Sequence, residues 1–312
     1  MTDTSTAVRA DLPRRVRQPG ARQRGPGGRQ RGLTMTALVA PSIILIVLIN
    51  AYPLFYAAIE ATHDNTLIST GPFVGLDNFT QALTDPAFWK AARFTVLFTL
   101  VGVFGSWALG LGLAMLLRTQ VPGRSAFRVL LLLPWVVPIV VSATSWNWLT
   151  NTADSPLPTL ARALGFGEVL FLANPTLAVI TVLAFKVWLS TPFMMMMTGA
   201  ALEAVEEPVY EAAKMDGAGP WQQFTRITLP LIAKTTYISW ILMAIFCVND
   251  FPTIFLLTGG GPVDATTTLV VFSYRLVFQN FQPGYGTAVA FLTTAALVLI
   301  SVALYRQIRR AH

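Results

Sequence analysis

The 312-residue sequence has one cysteine, two histidines and four lysines, and only 12% of its residues are charged. Each shortage excludes a kind of chemistry. Cys247 alone can form neither an intrachain disulfide nor a multi-cysteine metal site. His63 and His312 sit in a loop and at the end of the sequence, apart from any cysteine or carboxylate motif. Metal-assisted and nucleophilic catalysis therefore find no support in these residues. A phosphate-cradling P-loop needs Gly-Lys followed by Ser or Thr. Lys90, Lys186, Lys214 and Lys234 follow Trp, Phe, Ala and Ala. The chain is expected to hold no cofactor, metal or nucleotide, and not to be an enzyme.

What the sequence has in abundance is apolar surface. Apolar residues make up 54% of it, and the mean hydropathy is +0.58. A soluble domain of this size could not bury that much, so an all-α polytopic membrane protein is expected. Six apolar stretches reach the roughly 20 residues a crossing needs: 35–59, 94–117, 129–149, 174–202, 233–257 and 286–305. Pro134 and Pro138 should kink the third, and Asp250 and Pro252 interrupt the fifth. Gly102, Gly105, Gly110 and Gly112 suggest close helix packing in the second. The stretches between spans read as loops, with Gly71-Pro72 and Asp85-Pro86 as turns in the first. Residues 1–34 hold eight arginines among Pro, Gly and Gln without apolar periodicity, which reads as a disordered tail. A basic region this long before an uncharged run this long is unlike a cleaved signal peptide. The tail could serve as an arm for nucleic acid or anionic lipid, but a topology determinant is favoured because a span follows directly.

Basic residues orient the spans. With the tail inside, seventeen Lys and Arg fall on the inner side and four (Lys90, Arg93, Arg162 and Arg275) on the outer, with Lys186 inside a span. Both termini are therefore expected in the cytoplasm, together with the polar stretch 206–232.

That stretch is long for a plain connection. Glu206, Glu207 and Pro208 mark a helix start, Gly217 and Gly219 a stop, and Pro220 a second start that runs to Thr228 or Leu229. Pro230 then punctuates the junction with the fifth span. Two short helices with a break, set between two spans, suggest a docking element. Val209, Ala212 and Ala213 share a face at helical spacing. Glu207 and Glu211 form an i, i+4 like-charge pair better placed opposite a basic partner. A helix lying on lipid headgroups would more usually be rich in Lys and Arg.

Glu211-Ala212-Ala213, then Asp216-Gly217-Ala218, then Phe224, Ile227, Leu229 and Pro230 resemble the EAA loop of permease subunits of binding-protein-dependent ABC importers. In that family the loop is the coupling helix that seats on the ATP-hydrolysing subunit, and the resemblance implies that role for 206–232. Ala51-Tyr52-Pro53, Gly75-Leu76-Asp77-Asn78-Phe79, Leu133-Pro134 and the Leu256–Pro262 segment LLTGGGP resemble the carbohydrate-type (maltose and glycerol-phosphate) permeases of the same superfamily. The marks run from about residue 40 to the end and leave the Arg-rich tail outside. They imply an importer for a disaccharide or oligosaccharide in a prokaryotic cytoplasmic membrane. The implied partners are two ATPase subunits that bind ATP and Mg, a second permease (a heterodimer being favoured), and an extracytoplasmic solute-binding protein.

Ionisable residues inside a span are expensive and are functional candidates. Lys186 and Asp250 are two such residues, and Asn249 adjoins one. With Trp188, Ser190, Phe193, Met243 and Cys247 they are candidates to line the substrate path, where aromatic faces could stack on a sugar. Equally, Lys186 and Asp250 could pair and only hold two helices together. Trp146 and Trp148 suit an interfacial belt, and Met194 to Met197 suit adaptable packing near Pro192 more than a metal ladder. Other readings stay open. The same machinery could carry glycerol-3-phosphate or another small solute. A proton-coupled carrier could use Lys186 and Asp250, though it leaves the docking loop unexplained and no repeat of spans is visible. A membrane-embedded enzyme lacks an acid–base constellation.

Overall fold

The computed structural model of the chain describes residues 28–69, 71–118 and 122–310. Most of the Arg-rich segment lies outside the described residues, and its last part, from Gly28, is helical. The fold is helical, with no strand among the described residues beyond an isolated bridge between His63 and Phe73.

The chain divides into two compact units, Met1–Phe55 and Tyr56–His312. The first contains most of α1 (Gly28–Ala61), a helix uncharged from 35 to 59 that carries Pro41 and Pro53. The second unit begins with the end of α1 and holds the remaining helices. Among these are α2 (Asp77–Thr84), α3 (Pro86–Arg118), α4 (Arg124–Val136), α5 (Ile139–Thr150), α6 (Pro156–Ala163) and α7 (Pro175–Glu203). The series continues with α8 (Glu207–Met215), α9 (Pro220–Gln223), a π-helical turn Phe224–Thr228, α10 (Leu229–Val248), α11 (Phe251–Leu257), α12 (Leu269–Phe278) and α13 (Pro283–Arg310).

Among the described residues, five helices are long and apolar enough to cross a membrane: Met35–Ala61, α3, α7, Pro220–Val248 and Pro283–Ala303. A sixth results if α4 and α5 count as one span, but they are bent by 92°. A single kinked helix was expected there. Val137 and Pro138 are extended, with ψ of 133° at each. A proline ring disfavours a helical residue before it and donates no N–H after it, so the chain breaks at Pro138. Pro134 stays inside α4.

Three stretches expected to be loops contain helices: α2, α6 and α12. The α12 run LVVFSYRLVF buries Leu269, Val271 and Leu276. At 10 residues it is too short to span a membrane, yet it packs into the core.

The core is built where α3 lies along α7. Glycines set that approach. A Cβ on Gly110 would stand 2.6 Å from the backbone nitrogen of Met195, and one on Gly105 would stand 2.8 Å from Val187 Cγ2. At Gly102 it would meet Cys247 Sγ at 2.8 Å. Small residues let membrane helices approach closely; Gly105 and Gly110 act that way toward α7, and Gly102 chiefly toward α10. Gly112 does not, since nothing lies within 4 Å of its Cβ position. Phe98, Val182, Phe185, Met194, Met243, Cys247 and Ile254 fill the space between α3, α7, α10 and α11.

Candidate functional site

The break between α10 and α11 is where polar chemistry enters the core. Asn249 ends α10, and Asp250 caps α11, accepting from Thr253 N at 3.0 Å and Thr253 Oγ1 at 2.8 Å. An Asp at an N-cap satisfies helix donors that would otherwise be orphaned. Pro252 follows at the start of α11, where its missing N–H is harmless. From α7, Lys186 Nζ reaches Asp250 Oδ2 at 2.6 Å, and both side chains are 5% exposed. The ammonium also stands 5.5 Å from the centre of the Phe98 ring, a cation–π distance. Lys186 and Asp250 are therefore joined, as buried charges generally are.

The other candidates for the substrate path separate into two groups. Ser190, Met243 and Cys247 are buried in the core and present no surface in this conformation. Asn249 is exposed. Phe193 stacks on Trp135 with centroids 5.3 Å apart and meets Phe246 edge-on at 6.0 Å. Trp135 and Phe246 are 42% and 45% exposed, so this trio forms an open aromatic wall. Trp188 is elsewhere. It packs on Trp146 and Phe185 and lines an apolar cavity of about 650 Å³ with Pro134, Leu183 and Thr191. Phe193 and Trp188 are five residues apart, about 140° out of phase on a helix, and so face different ways. Trp148 is 68% exposed, and Met194 is buried while Met196 is 44% exposed.

The stretch 206–232 holds α8, a turn, and then a helix. Glu206 is extended at the N-cap of α8 and Pro208 is in its first turn. Gly217 ends it with φ of +81°, a left-handed conformation that glycine adopts without strain. The N–H of Ala218 reaches back to the carbonyl of Ala213 at 2.9 Å, closing the Schellman pattern. Ala213 is buried, but Val209 and Ala212 are exposed, so the three do not present one common outer face. Glu207, Glu211 and Asp216 are exposed, and among the described residues none forms an ion pair. Two contacts hold α8 in place through Tyr210, one to the helix that follows it and one to α3. Its hydroxyl is 3.1 Å from Thr228 Oγ1, and the Arg118 guanidinium lies 4.9 Å from its ring centre.

The second half of this stretch differs from expectation. Pro220 begins a helix that continues through the π turn into α10 without interruption at Pro230. Proline removes a backbone donor and its ring crowds the carbonyl four residues back. The wider turn Phe224–Thr228 lies just before it, with the Leu229 N–H bonded five residues back to Phe224.

The family described as binding-protein-dependent transport system inner membrane component matches residues 107–311. This chain belongs to that family. The permease is also similar to the trehalose/maltose transport system permease protein MalF of Thermococcus litoralis, at 34% identity over 252 residues. That match covers 81% of this chain and 85% of the relative. The sulfoquinovosyl glycerol transport system permease protein SmoG of Agrobacterium fabrum is 31% identical over 279 residues, 89% of this chain and 91% of its own length. Among solved structures, a bacterial ABC transporter involved in the import of the acidic polysaccharide alginate matches with a TM-score of 0.77 at 22% identity. The match covers 90% of this permease and 96% of that chain, and it establishes the fold.

Sequence reasoning missed Trp135 in the aromatic wall. It stands at the end of α4 just before the break, and nothing in a continuous apolar run announces which way a residue points across a 92° bend.

Proposed function

We propose that this permease moves a disaccharide or oligosaccharide through a prokaryotic cytoplasmic membrane, with both termini inside and α8 docked on an ATPase subunit. The observation that carries the docking is α8 itself. It is a nine-residue helix set between two spans, exposed on its acidic side and pinned to the rest of the chain through Tyr210 and Ala213. A plain turn between spans would need no such support.

In this reading ATP and Mg are held by partner subunits, and this chain contributes the path. ATP binding draws the ATPases together and carries α8 with them, switching the bundle from inward- to outward-facing. A solute-binding protein on the outer side delivers the sugar. A second permease, different in sequence, completes the cavity. The wall of Trp135, Phe193 and Phe246, with Asn249 one turn from Phe246, suits a pyranose, whose apolar face stacks on aromatic rings while its hydroxyls need polar partners. The names of the two relatives, trehalose/maltose and sulfoquinovosyl glycerol transport, support a glycoside.

Co-purification tests the assignment. The wild-type chain, drawn from its native membrane, should bring an ATP-hydrolysing subunit and a second permease with it, and Glu211→Lys should lose the ATPase while keeping the permease. Retention of the ATPase in Glu211→Lys and in Gly217→Pro, with normal ATP-driven uptake, would refute the docking role of α8. Uptake driven by a proton gradient with no ATPase present would instead make the Lys186–Asp250 pair the working centre.

A further inference from the structure

Three arginines border one cavity at the inner ends of the spans. Arg118 closes α3, Arg124 and Arg128 come from the first two turns of α4, and Leu132, Met195 and Gly199 supply apolar walls. The cavity measures about 270 Å³. Among the described residues its one carboxylate is Glu203, 3.8 Å from Arg128 across a half-exposed contact. Among the described residues Arg118 and Arg124 form no ion pair, and Arg118 leans on the Tyr210 ring. Three guanidinium groups against one carboxylate leave a net positive cavity. Arginines that served only as solvated topology signals would have no reason to gather around an apolar-walled recess.

The geometry points to a binding site for the phosphate of an anionic membrane lipid. Guanidinium forks match phosphate oxygens in geometry and charge. Basic pockets between membrane helices on the cytoplasmic side are suited to such headgroups. The source of the phosphate follows from what lies beside the arginines. On α4, Phe127 and Leu130 are 52% and 58% exposed, and Leu133 one turn on from Leu130 is exposed as well. A lipid can place its phosphate among the arginines and its acyl chains along that flank, whereas a free anion leaves the flank uncovered. The naming of the leaflet as cytoplasmic rests on the orientation proposed above. The binding itself does not, because it is measured without transport or ATP hydrolysis.

The test uses the full-length permease in detergent with its co-purifying subunits, titrated with short-chain phosphatidylglycerol, phosphatidylcholine of equal chain length, and inorganic phosphate. Phosphatidylglycerol should bind more tightly than phosphatidylcholine and far more tightly than inorganic phosphate. A basic residue near an anionic headgroup contributes roughly fivefold in affinity, so Arg124→Gln with Arg128→Gln should weaken phosphatidylglycerol binding about 30-fold. Glu203→Gln, which removes the competing carboxylate, should tighten it, and Arg162→Gln on a different segment should leave it unchanged. Equal binding of the two lipids, or a double variant within twofold of wild type, would overturn the site. Inorganic phosphate binding as tightly as phosphatidylglycerol would overturn the lipid as its occupant.

Discussion

Lys186 Nζ and Asp250 Oδ2 lie 2.6 Å apart in the core, and the same carboxylate caps α11 through Thr253. One side chain therefore serves both the contact between α7 and the α10–α11 break and the start of the helix beyond it. Removing one member of a buried pair leaves the other uncompensated, at about 3–5 kcal/mol. Lys186→Met and Asp250→Asn should each lower the detergent-solubilised melting temperature strongly. The double variant should recover much of the loss, because the introduced amide oxygen would still accept from Thr253 and no charge remains buried. If the double variant is as unstable as the sum of the two singles, the pair is not coupled as described.

The turn after α8 requires glycine. With φ of +81° at Gly217, an alanine there is strained by about 1–2 kcal/mol even though nothing lies within 4 Å of its Cβ. Gly217→Ala should weaken the recovery of an ATPase subunit and lower ATP-driven uptake while leaving membrane insertion intact. Gly219→Ala, which has neither positive φ nor a neighbour within 4 Å, should be nearly silent. Equal losses in the two variants would show that backbone conformation at Gly217 is not what matters.

Helix packing gives a sharper contrast. Gly110→Ala must push the α7 backbone at Met195 away from its 2.6 Å approach, and overpacking of this kind costs about 1–3 kcal/mol. Gly112→Ala, two residues on, meets nothing and should gain roughly 0.5–1 kcal/mol from helix propensity. Thermal unfolding of the two single variants should move in opposite directions.

The aromatic wall is tested by uptake kinetics. Aromatic contacts are worth about 0.5–1.5 kcal/mol each, so Trp135→Ala and Phe246→Ala should each reduce apparent sugar affinity by roughly two- to tenfold. Trp148→Ala, also exposed but on α5, should not. A loss of maximal rate with unchanged affinity would assign the wall to packing.

Much of this architecture was legible in residue order. Apolar length marked α3, α7, α10 and α13, and the intramembrane Asp250 with Pro252 marked the interruption at the end of α10. The pairing of Lys186 with Asp250 stood only as one of two options, because 64 residues separate them and sequence carries no distance. The 92° bend is larger than two prolines four apart suggest, because which of them breaks the helix depends on whether the preceding residue can stay helical. The helix α12 was hidden because a 10-residue apolar run is ambiguous by periodicity and length. Trp188 and Phe193 looked interchangeable as aromatic faces until the helix placed them on different sides.

Because Pro220–Val248 is one uninterrupted helix of 29 residues, it is a lever about 43 Å long at the usual 1.5 Å rise per residue. Pro230 puts no joint in it. A tilt of about 5° imposed beside α8 would swing the far end by about 4 Å if the near end stays fixed. That far end is Asn249, where the helix breaks and Lys186 grips the next residue from α7.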